Sequence, residues 1–86
     1  FLDTYAWVLF KRKNYSLAKF YIRSAIEDEQ SVSGVLYEHY GDILYMNGEK
    51  EEAVKMWQKA MQVGGDVEID KIVDKIKNGL PTDDEE

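Results

Sequence analysis

The chain has 86 residues, 44% hydrophobic and 33% charged, a balance that fits one small folded domain and excludes a disordered segment. It holds no cysteine, which excludes disulfides and thiolate metal sites, and no apolar run near the roughly 20 residues that a membrane span needs. A net charge of −6 repels phosphate backbones and argues against nucleic-acid binding.

That charge is uneven. Residues 1–30 carry five basic and four acidic side chains, a net of +1, whereas residues 31–86 carry six and thirteen, a net of −7. The short basic run Lys11, Arg12, Lys13 falls where a turn is expected and reads as solvated surface. Phe1 starts in mid-pattern, so the chain reads as a piece of a longer protein, with any targeting signal upstream.

Hydrophobic periodicity predicts five helices. Leu2, Tyr5, Ala6, Leu9 and Phe10 recur at spacings of three and four, which places one buried stripe on a helix over about 1–12. Asn14 interrupts the pattern and suits the cap of a second helix, about 15–29, whose stripe is Leu17, Ala18, Tyr21, Ile22, Ala25 and Ile26. After a polar connection over 28–33, Leu36, Tyr37, Tyr40, Gly41, Leu44 and Tyr45 mark a third helix, about 33–46. Asn47 and Gly48 end it, since both tolerate positive φ. A fourth helix, about 50–63, carries Ala53, Val54, Met56, Trp57, Ala60 and Met61, and Gly64 and Gly65 stop it. Asp66 then suits the cap of a fifth helix, about 66–80, with Ile69, Ile72, Val73 and Ile76 on one side. Gly79 and Pro81 close that helix, and 81–86 is an acidic tail.

The helices repeat. Ala18 and Ala25 reappear 35 residues later as Ala53 and Ala60, and Tyr5 and Ala6 reappear as Tyr40 and Gly41. A period of this length with two helices per unit is the pattern of an α-solenoid. Small residues at these points let helices approach closely, while bulky residues one turn away fill the space between them.

With Tyr37, Tyr40, Gly41, Leu44, Ala53, Trp57 and Ala60 in place, the second unit resembles the tetratricopeptide repeat family. The first unit resembles it less strictly through Leu2, Tyr5, Ala6, Leu9, Ala18, Ile22 and Ala25. The proline usual at the unit's end is replaced by Gln30 and Gly65. The resemblance spans residues 1–65 and implies an all-α fold: an α-solenoid of two helix-turn-helix repeats, 1–31 and 32–65, with the helix over 66–80 as a C-terminal cap. Some phrases are also similar to the last repeats of bacterial tetratricopeptide proteins, several of them cell-envelope proteins.

The resemblance implies binding rather than chemistry: a protein-interaction scaffold, the C-terminal part of a longer array. Carried over onto this chain, the concave binding face is Asp3, Trp7, Phe10 and Lys11 in the first repeat and Glu38, Asp42, Tyr45 and Met46 in the second. Carboxylates at Asp3, Glu38 and Asp42 argue against a clamp for a C-terminal carboxylate. They suit a basic or amphipathic protein or peptide partner. The alternatives are that this face is simply solvated, with Trp7 and Phe10 packed on upstream repeats, or that the N-terminal face pairs with a second copy in a homo-oligomer.

No enzyme signature is present. The lone His39 has Glu38 and Asp42 nearby, which could hold a divalent ion weakly, but it reads as an ordinary helix-surface residue. No nucleophile–base order and no glycine-rich phosphate loop occurs, so neither cofactor nor metal is expected. Tyr37, Tyr40 and Trp57 are expected in the core, which leaves Trp7 and Tyr45 as the aromatics for a binding role.

Overall fold

In the computed structural model, residues 2–28 and 32–80 are described, with side chains from residue 5 onward. They form five helices and no strand: α1 (Leu2–Lys11), α2 (Tyr15–Asp28), α3 (Gly34–Met46), α4 (Lys50–Val63) and α5 (Ile69–Asn78). Each helix packs on its neighbour in the chain, and α1 also reaches α3. The sequence-based helix over 66–80 is shortened at both ends. Asp66 does not cap it; Glu68 precedes Ile69 in extended conformation without a side-chain cap. Residues 29–31 of the 28–33 connection and the acidic tail over 81–86 lie outside the described residues.

The turns show that the repeat is one of backbone as well as composition. After α1, the N–H groups of Arg12, Lys13 and Asn14 donate to the carbonyls of Val8, Phe10 and Leu9. After α3, those of Asn47, Gly48 and Glu49 donate to Ile43, Tyr45 and Leu44. Every donor and acceptor is displaced by 35 residues. The turn needs one left-handed residue, supplied by Gly48 at φ 91° and, in the first copy, by Lys13 at φ 64°. A lysine there accepts steric strain that glycine would not feel.

Two apolar clusters make the core. The first joins Ala6, Leu9, Ala18, Ile22, Ala25, Leu36 and Ile43; the second joins Leu44, Ala53, Trp57, Ala60 and Ile72, and Tyr40 packs against both. The repeated alanines are therefore all interior. Ile43 lies outside the expected stripe, yet it is fully buried, because α3 is covered on two sides, by α1 and α2 and by α4. Gly41 marks a close crossing of α3 and α4. A Cβ there would collide with the Trp57 ring and press the Ala53 carbonyl at 3.1 Å. No bulkier residue lets α3 and α4 come so close. At the start of α3, the Ser33 hydroxyl accepts from the Leu36 N–H at 3.3 Å, the usual N-cap arrangement.

Candidate functional site

Helices α1 and α3 are in contact, and Leu80, two residues past α5, reaches the ends of both. Between them is a shallow groove of about 300 Å³, lined by Phe10, Lys11, Lys13, Tyr15, Asp42, Met46 and Leu80. Of the expected face, Phe10, Lys11, Asp42 and Met46 therefore meet at one place. Tyr15 and Leu80 are additions that periodicity did not mark as binding residues. Asp3 belongs to α1, and its side chain lies outside the described residues.

Trp7 is beside the groove rather than in it. Its ring stacks on Phe10 at 4.8 Å and on His39 at 4.4 Å, and the Lys11 ammonium stands 5.3 Å from its centroid. His39 is thus half-buried in a stack that ties α1 to α3, rather than a plain surface residue. Tyr45 is committed elsewhere: it stacks on Trp57 at 5.7 Å, and its hydroxyl abuts Gly79 at the end of α5.

The carboxylates correct the expected acidic face. Glu38 and Asp42, one turn apart on α3, do not stand open to a partner; α5 brings Lys75 onto both. The Lys75 ammonium donates to Glu38 Oε2 at 2.6 Å and to the two oxygens of Asp42 at 3.0 and 3.1 Å. Trp57 Nε1–H donates to Asp42 Oδ1 at 3.0 Å. Asp42 is 5% exposed, and every bond it forms is made inside the chain's own fold. Burial pushes its carboxyl above the usual range, against the opposing pull of Lys75 and the Trp57 bond. Burial alone would lower Lys75, but the bonds and charges of Glu38 and Asp42 together outweigh it and raise its pKa. The two shifts differ in what burial achieves; in both, the geometry is that of a lysine held charged between two acids.

Lys75 is the residue that sequence reasoning missed. Its signal was faint: it lies three residues after Ile72 and one before Ile76, inside the apolar side of α5. Among the described residues, no group of three histidines or carboxylates stands close enough to hold a metal ion, and no helix is long and apolar enough to cross a membrane. No protein-family model, curated protein or solved structure matches the chain.

Proposed function

We propose that the chain is a non-catalytic protein-interaction module, a tetratricopeptide-type pair of repeats closed by α5, which takes an amphipathic peptide segment in the groove between α1 and α3. The observation that carries this reading is the groove wall. Phe10, Tyr15, Met46 and Leu80 converge from four parts of the chain on one groove, which Lys11 also lines. Apolar anchors with a charged edge are the usual makings of a peptide groove. The backbone repeat at a displacement of 35 residues supports the repeat architecture.

The charge of the partner follows from Lys75. With Glu38 and Asp42 bonded to Lys75 inside the fold, a cation that the groove wall offers is Lys11, set over the Trp7 ring. The amphipathic partner therefore carries aspartate or glutamate beside its apolar anchors, rather than the basic groups that open carboxylates would have called for. Asp42 on the groove wall is bonded to Lys75 of α5, which is the arrangement of a latch between helices.

Selection of random displayed peptides on the full chain, followed by amide chemical-shift mapping, tests this. Enriched peptides should combine aromatic or aliphatic anchors with acidic residues. They should shift Phe10, Met46 and Leu80, and lose at least about tenfold in affinity against Met46→Glu. No enrichment, or shifts confined to other faces, would overturn the reading.

A further inference from the structure

Among the described residues, α2 presents an exposed apolar face. Phe20 stands two residues from both Ala18 and Ile22, which puts it opposite the buried side of the helix, and it is 60% exposed. Its ring meets Tyr21 edge-on at 5.3 Å, and Tyr21 meets Tyr5 of α1 edge-on at 4.7 Å. Tyr5, Val8 and Leu17 are exposed as well.

The internal repeat supplies a control. A displacement of 35 carries Leu17 and Phe20 onto Glu52 and Lys55, which form an exposed ion pair at 3.2 Å on α4. Equivalent positions on two copies of one unit are thus solvated with charge in one and apolar in the other. The same displacement carries Tyr5 and Val8 onto Tyr40 and Ile43, which are packed against the core of the first cluster. By both comparisons, the outer face of the first unit has the composition of a covered surface.

We infer that a second copy of this chain covers it, α2 against α2 in antiparallel orientation about a two-fold axis. The charges of α2 are self-complementary in that orientation only. Lys19 is bonded to Glu49 of the same chain, which leaves Arg23 in its middle and Glu27 and Asp28 at its C-terminal end. Antiparallel packing turns the Arg23 of each copy toward the acidic end of the other, whereas parallel packing opposes like charges. Arg23 and Glu27 are each well exposed and only loosely paired, at 3.9 Å, so both are available to a partner. Beside Phe20 lies a shallow depression lined by Ser16, Lys19, Arg23, Ser24 and Glu27. The Ser24 hydroxyl bonds back to the Phe20 carbonyl at 3.1 Å, so this small side chain leaves room for the partner's Phe20 without an unmet hydrogen bond. The two-fold axis makes each of these contacts twice.

Sedimentation equilibrium of the full chain, from about 10 µM to about 1 mM and at low and high salt, tests the inference. The expected result is a reversible dimer that salt weakens. Phe20→Glu, and separately Phe20→Ser, should raise the dissociation constant at least about tenfold while helix content is retained. Arg23→Glu and Glu27→Arg should each weaken self-association, and an equal mixture of the two should associate more tightly than either alone. A monomer throughout the range would overturn the inference, and would leave this face to a different protein. It fails equally if the dimer is insensitive to Phe20→Glu, or if the charge-reversed chains gain nothing by mixing. Growth beyond the dimer that Val73→Glu abolishes would place the contact on the exposed Ile69 and Val73 of α5 instead, also against it.

Discussion

Replacing Lys75 with methionine keeps most of its aliphatic stem and removes the one cation between Glu38 and Asp42. Two carboxylates one turn apart are then left facing each other, and Asp42, whose side chain is 7% exposed, has no counter-charge. Removing one partner of a fully buried pair costs about 3–5 kcal/mol. The cost here is smaller, because the Lys75 side chain is 20% exposed, Glu38 is free to turn toward water, and Asp42 is able to take up a proton. About 2 kcal/mol is expected, read from urea denaturation followed by far-ultraviolet circular dichroism and by the fluorescence of buried Trp57. Adding Asp42→Asn removes the stranded charge but keeps an oxygen to accept from Trp57 Nε1. The double variant should return to within about 1 kcal/mol of the unaltered chain. The pH dependence gives a second check. Burial already raises Asp42, and loss of Lys75 raises it further. An acid with a raised folded pKa holds its proton more tightly in the folded chain, so the single variant loses stability as pH rises from the ordinary aspartate range toward neutrality. Its deficit should therefore shrink on acidification. A Lys75→Met chain within about 0.5 kcal/mol of the parent at neutral pH, or no rescue by Asp42→Asn, would refute the latch.

Three further outcomes are expected. Gly41→Ala should destabilise by about 1–3 kcal/mol in the same urea assay, since its Cβ collides with Trp57; an unchanged midpoint would mean that α3 and α4 cross differently. Lys13→Gly should stabilise by about 0.5–1 kcal/mol, because the left-handed strain at φ 64° outweighs the added freedom of the unfolded chain; a loss of stability would show that the lysine side chain contributes more than its backbone costs. Alkaline melting should report the latch. Burial raises the Tyr40 pKa above 10.0, and the carboxylates hold Lys75 above 10.5 against burial, so both groups keep their protons longer in the folded chain. Stability that is complete below those ordinary values is then lost as pH climbs past them, and the fall in melting temperature should be steeper for the parent than for Lys75→Met. Parallel curves would dissociate Lys75 from stability.

Much of the fold was legible from residue spacing. The spacing of Ala18, Ile22 and Ala25 marks α2 because only one helix face reaches the core, and Asn47–Gly48 marks a stop because the turn needs a left-handed residue. Ala18, Ala25, Ala53 and Ala60 revealed the repeat because close-packed helices admit only small residues where they cross. The turn at Lys13 hid the same repeat, since lysine carries no mark of positive φ.

Of the candidate site, Phe10, Lys11, Asp42 and Met46 could be named from the sequence together with the family resemblance, and the structure brings them together; its charge could not. The sequence by itself determined the inward positions Ala18, Ile22 and Ala25 of α2 and Ala53, Trp57 and Ala60 of α4, because these follow the 3.6-residue period, although Tyr5, Leu17, Ile69 and Val73 of the expected stripes are exposed. Only the tertiary structure decided which inward faces meet. Ile43 became core because α3 has neighbours on two sides, and Lys75 reached Glu38 and Asp42 because α5 folds back over α3. Such an ion pair joins residues more than 30 positions apart through the path of the chain, and nothing in local periodicity encodes that path.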